Sequence, residues 1–318
     1  MTSTPHDALV KATFSQIQYA ADEFRTALPP AIVERLDLDQ LQLCSGSFVD
    51  DELRAQYADL LYAVPLDGRQ AFLYLLLEHQ STSDALMPFR LWRYMGQIWH
   101  RYLKDHSDAN KLPVIIPLVL HHSNEGWTAA TTIGELFDLA DDTRQALSDY
   151  LPQLRCLLDD LSVQADEAIR ARSMAAMPKL VLWTLKNARS HDDLVGALRS
   201  WLDVVEEILR APNGVRALSL ILRYILKVSD ANPDELETLL ADEVGNEARE
   251  AFMTGAEVLY NRRASELLRR VLVHQLEQRF GQLPDTLEQR IQSTDIPQLE
   301  RWTQRVITAS SLDDVFAD

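Results

Sequence analysis

Residues 57–81, YADLLYAVPLDGRQAFLYLLLEHQS, decide how the rest of the chain is read. Two apolar runs flank Asp67-Gly68, a dipeptide strongly preferred in two-residue hairpin turns because both positions need positive φ. If Asp67 and Gly68 form the loop, Leu66 faces Arg69 and paired residue numbers sum to 135. Asp59 then lies opposite Leu76, and Tyr57 opposite Glu78. Side chains on a strand alternate faces, so this register puts Asp59, Glu78 and Gln80 on one face. Asp59 and Glu78 become diagonal cross-strand neighbours, about 7–8 Å apart at the backbone. A loop one residue longer would put the two carboxylates on opposite faces.

An apolar strand that ends in Glu-His-Gln needs a physical reason. Two neighbouring carboxylates repel and lose solvation. A hard divalent cation removes both costs, and Mg²⁺ characteristically takes one or two carboxylates plus waters and phosphate. Metal-assisted phosphodiester hydrolysis uses such a group. The residues alone leave the alternatives open: Asp59 pairing with an arginine or capping a strand, and Glu78 as an exposed strand end.

Outward from the hairpin, residues 8–28 read as one amphipathic helix, with Val10, Phe14, Ile17, Ala21, Phe24 and Leu28 at three- and four-residue steps. Pro29-Pro30 stops it. Extended segments are expected at 41–49, 54–66 and 70–80. A helix is expected at 85–104, with Leu86, Phe89, Trp92 or Arg93, Ile98 and Trp99 along one side. KLPVIIPLVLHH, residues 111–122, reads as a strand buried on both faces. Beyond about residue 130 only helices are expected, broken at Pro152, Pro212-Asn213-Gly214 and Pro233. A last helical segment, 255–318, is divided at Gly281 and Pro284. The order is α-β-β-β-α-β, then a helical extension.

The composition sets bounds on function. The 318 residues carry 31 Lys+Arg against 48 Asp+Glu, a net charge of −17, which argues against wholesale nucleic-acid binding. Residues 1–122 hold net −5 and the remainder −12, while residues 82–104 carry +3. Cys44 and Cys156 are far apart and outside any CxxC spacing, which argues against a disulfide scaffold or zinc ribbon and fits a reducing cytosol. No signal peptide or membrane span is expected, so the sequence reads as cytoplasmic, with no membrane partner. His121 and His122, adjacent on a strand, point to opposite faces and are not expected to share a metal. The tryptophans are read as core.

The stretches HDALVK (6–11), YADLLYAV (57–64), EHQS (78–81), MPFRLWRY (87–94) and the PVIIPLVLHH strand occur in an order and spacing that resemble the PD-(D/E)XK nuclease superfamily. More narrowly, they resemble the recombination-promoting nuclease family, which also carries a transposase label. RFGQLPDTLEQRIQSTDIPQLERWTQRVITASSLDDVF resembles a small helical domain that often follows this nuclease. The resemblance implies an α/β restriction-endonuclease-like core at 1–125, a helical extension at 126–250 and a small helical domain at 255–318.

It also implies a Mg²⁺-dependent endonuclease acting on double-stranded DNA, with Mn²⁺ or Ca²⁺ able to substitute or modulate. Asp59 and Glu78 would be the metal ligands, with the His79 backbone carbonyl a third. Gln80 stands where the wider superfamily has Lys and cannot supply that residue's charge. Lys11 and Arg90 are the candidates to replace it, His6 and Asp7 would sit at the rim of the site, and Arg90 and Arg93 would contact phosphate. Asp7 could equally serve as a first-turn acid. The rival reading is a catalytically weak or inactive relative acting as an interaction module. A homo-oligomer is compatible with either.

Overall fold

The computed structural model describes residues 4–44, 60–78 and 84–316, with the backbone alone for 76–78, 262 and 285. At its centre is the hairpin. β2 (Leu60–Leu66) pairs antiparallel with β3 (Arg69–Glu78), from Leu66↔Arg69 to Leu60↔Leu75. The turn has φ +48° at Asp67 and +72° at Gly68, the doubly positive pattern of a type I′ turn. The register is the one that the Asp-Gly pair predicts. Asp59 lies outside the described residues.

Three further strands complete a five-stranded sheet in chain order among the described residues. β1 (Gln42–Leu43) runs antiparallel to β2. β4 (Val114–His121) runs parallel to β3, and the helix Met87–Asp105 makes the crossover that a parallel pair requires. β5 (Leu157–Asp160) runs parallel to β4.

Strand alternation divides the core. Tyr62, Val64, Leu73 and Leu75, with Leu118 and Leu120, face the first helices, Pro5–Phe14 and Ile17–Ala27, through Val10, Phe14 and Phe24. That core continues without interruption into the helices of residues 176–243, through Trp183, Trp201 and Leu222. Leu61, Phe72, Tyr74, Ile115 and Val119 face the other way, onto Met87, Leu91, Tyr94, Met95 and Ile98 of the crossover helix. A third core, containing Leu272, Leu276, Leu299 and Trp302, joins the end of the 35-residue helix Asn246–Phe280 to the helices Asp285–Ser293, Ile296–Arg305 and Leu312–Phe316. Among the described residues, no helix is long and apolar enough to cross a membrane.

Four expectations are corrected. The helix read over 8–28 is two helices, separated at Ser15-Gln16, where Gln16 is extended (φ −80°, ψ 114°). β5 falls in the region expected to be only helical; four residues, LLDD, are too few to show a period, and the strand forms because β4 offers it a free edge. The crossover helix turns only the later part of the expected side inward: Ile98 is buried and Trp99 packs against the same core. Met87, Leu91, Tyr94, Met95 and Ile98 are buried, whereas Leu86, Phe89 and Trp92 are 56, 48 and 38% exposed. Apolar residues occur on both sides of this helix, so apolarity alone did not select the buried side. Trp92 is accordingly not a core tryptophan, although Trp183, Trp201 and Trp302 are buried.

Candidate functional site

The carboxyl ends of the parallel strands are where an open α/β sheet places its chemistry. β3 ends at Glu78, whose backbone partner on β4 is His121, and His121 in turn pairs with Asp160 of β5. Of the expected ligand group, only the Glu78 backbone falls among the described residues; Asp59, His79 and Gln80 lie outside them. No group of three or more His, Cys, Asp or Glu side chains suited to a metal occurs among the described residues.

His121 and His122 go to different neighbours, as strand alternation requires. His121 is fully buried, with Nε2 3.1 Å from Ser123 Oγ and its ring edge-on to Trp127 at 5.1 Å. Asp160 fixes the loop beyond β4, accepting from Trp127 N at 2.8 Å and Ser162 N at 3.0 Å. His122, also buried, has its ring centroid 5.0 Å from that of His6.

The first helix brings His6 and Asp7 to this region. Asp7 belongs to a capping box: Thr4 N donates to Asp7 Oδ2 at 3.0 Å, and Asp7 N donates to Thr4 Oγ1 at 3.2 Å. His6 is 4% exposed, and its Nδ1 lies 2.7 Å from the Tyr224 hydroxyl. Tyr224 sits on the helix Gly214–Val228, so the helical extension reaches back to the start of the chain. Burial raises the Tyr224 phenol well above its ordinary pKa, and it remains protonated. Lys11 follows Asp7 by one turn and is half-buried. Arg90 pairs with Asp84 at 2.8 Å, with the arginine side chain 11% exposed. Arg93 is exposed on the same helix.

Sequence reasoning did not find a buried ionic group beside β5. Arg172 donates to both oxygens of Asp159, at 2.7 and 2.6 Å, and to Gln164 Oε1 at 2.8 Å, and lies 3.4 Å from Glu23 Oε2. Glu23 is fully buried and Asp159 nearly so. Burial, reinforced by the Asp159 charge, drives Glu23 well above the usual carboxylate range. Burial also pushes Asp159 upward, but the Arg172 hydrogen bonds and charge outweigh it and hold Asp159 below its ordinary value. These residues are 149 positions apart at the extremes, and no local spacing signals them.

Other chemistries are disfavoured. Burial pushes both thiols, Cys44 and Cys156, up to about 11, so neither is a ready nucleophile. A cavity of about 1000 Å³ between the first helices and the helical extension is lined by Gln16, Glu207, Asn213, Arg216 and Arg223. None of the described candidate site residues, His6, Asp7, Lys11, Arg90 and Arg93, lines it.

These features define an α/β protein with a hairpin-led sheet, helices on both faces, and two buried histidines that leave the carboxyl end of β4 in different directions, His121 toward Trp127 and His122 toward His6 of the first helix. The family described as "Putative transposase, YhgA-like" matches residues 4–216. The chain is 32% identical over 266 residues to recombination-promoting nuclease RpnD of Escherichia coli O157:H7, covering 82% of this chain and 95% of that protein. It is 31% identical to recombination-promoting nuclease RpnA of Escherichia coli strain K12, over 72% of this chain and 74% of that one. It is 28% identical to the inactive recombination-promoting nuclease-like protein RpnE of the same strain, over 73% of both chains. The chain belongs to the YhgA-like, recombination-promoting nuclease family. No solved structure matches it.

Proposed function

We propose that the protein is a metal-dependent endonuclease acting on double-stranded DNA, built on a PD-(D/E)XK core. The observation that carries this reading is the hairpin: a type I′ turn at Asp67-Gly68 in the 135-sum register, with β3 ending at Glu78, in a chain whose relatives are named recombination-promoting nucleases.

The donor set suits Mg²⁺. Asp59 and Glu78 supply carboxylates and His79 a backbone carbonyl, all hard oxygen donors. When bound, the ion lowers the pKa of water and neutralises charge on the phosphoryl oxygens; Mn²⁺ or Ca²⁺ would substitute or modulate. Gln80 orients the attacking water or the phosphate through its amide. The positive charge that the wider superfamily draws from Lys comes from Lys11 or from the crossover helix. Arg90 is already engaged by Asp84, which leaves Arg93 as that helix's phosphate contact. His6 and Asp7 support the site from the first helix.

Metal titration tests the ligand set. Asp59→Asn and Glu78→Gln should each weaken Mn²⁺ binding at least tenfold, the scale at which loss of a metal-site group is felt. Unchanged affinity in both would remove the proposed site. A second reading, an inactive relative serving as an interaction module, has its own support in the name of the inactive relative RpnE and in Gln80.

A further inference from the structure

The crossover helix Met87–Asp105 presents a solvent face at odds with the rest of an acidic protein. Phe89 and Trp92, 48 and 38% exposed, stand one turn apart near its start, and Leu86 immediately before it is 56% exposed. Arg93 lies on the same face. Gly96 follows it there with open space where a Cβ would stand, leaving the backbone approachable. From Ala85 to Lys104 there is not one Asp or Glu, in a chain of net charge −17. Arg93 makes no ion pair with any described residue.

We propose that this face docks unpaired DNA bases, with Phe89 and Trp92 as stacking platforms and Arg93 as the adjoining phosphate contact. Aromatic faces stack on bases of any sequence, and they reach bases that are not enclosed in a duplex. An exposed aromatic pair beside an arginine, on a helix without acids, complements a strand with apolar bases and an anionic backbone. The helix is the next one along the chain after β3, beginning nine residues after Glu78. The inference rests on the nuclease reading and deepens it: within double-stranded DNA, the preferred place is one where the strands are frayed or unpaired.

The test uses the full-length protein in EDTA, so that binding is read without cleavage. Fluorescence anisotropy would compare a labelled single strand of about 16 nucleotides with its duplex. Wild-type protein should bind the single strand more tightly. Phe89→Ala and Trp92→Ala should each weaken single-strand binding about tenfold and duplex binding less than twofold. Arg93→Ala should weaken both and lower the salt slope by about 0.7–0.9. Equal affinity of wild type for strand and duplex, or no effect of the aromatic variants, overturns the inference. So does sedimentation showing that these variants convert a dimer to a monomer without changing DNA affinity, since the face would then belong to a second copy. Cleavage in Mg²⁺ is scored separately: cutting without strand preference sinks this inference alone, and strand preference without cutting sinks the nuclease alone.

Discussion

Replacing Arg172 by Met should destabilise the protein strongly and in a pH-dependent way. Arg172 is 10% exposed and is the cation facing Glu23 and Asp159, which are 0 and 5% exposed. Removing one partner of a buried ion pair costs about 3–5 kcal/mol, because the remaining charge stays desolvated. In the wild type, Asp159 is held below its ordinary value, so it stabilises the fold above the unfolded value of about 3.9 and loses that contribution as pH falls through the folded one. Glu23 is raised, so it favours folding less as pH climbs from about 4.3 toward its folded value.

Without Arg172 Asp159 loses the partner that keeps it low, and the added penalty grows by up to about 1.4 kcal/mol per pH unit for the proton it then retains; Glu23 is raised in the wild type already and adds little to the difference. Guanidinium unfolding at pH 5 and pH 8 should therefore show a clearly larger loss at pH 8. Glu23→Gln should cost under about 1 kcal/mol, since it keeps the side-chain shape and leaves the Arg172–Asp159 pair in place. A loss for Arg172→Met that is the same at both pH values, or below about 1 kcal/mol, would refute the electrostatic account of this group.

Other perturbations address the hairpin, the helix crossing and the inter-region bond. Gly68→Ala forces a Cβ into φ +72° and should cost about 1–2 kcal/mol in denaturant unfolding. Gly255→Ala would bring a Cβ to 2.9 Å from Ser219 O, where the long helix crosses Gly214–Val228, and should cost about 1–3 kcal/mol by the same measurement. Tyr224→Phe removes the hydroxyl from His6 Nδ1 and should cost about 1 kcal/mol, with a change in the His6 ring nitrogen resonances that no remote defect would produce.

The sequence was most informative where short-range chemistry dictates geometry. Asp67-Gly68 specified its turn and, through it, the register of seven cross-strand pairs. The KLPVIIPLVLHH run became β4, and Gly281 and Pro284 fell between the last long helix and the short ones. What escaped depended on distance or context. β5 exists because β4 has an edge to fill, and the ionic group around Arg172 joins a helix, a strand and two loop residues. Tyr224 meets His6 across 218 positions. The first half of the crossover helix was misread because Phe89 and Trp92 are as apolar as the residues that the sheet covers, while Ile98 is buried as expected. At the site, the sequence indicated that a carboxylate ends β3 and that His121 and His122 diverge, but not that His122 would meet His6.

The most direct test of the nuclease is cleavage of supercoiled plasmid by purified wild-type protein, with Mg²⁺, with Mn²⁺ and with EDTA, beside Asp59→Ala prepared identically. The account predicts nicking that needs the metal and disappears in Asp59→Ala. Equal cutting by both proteins, or no cutting by wild type under any metal condition, would contradict it.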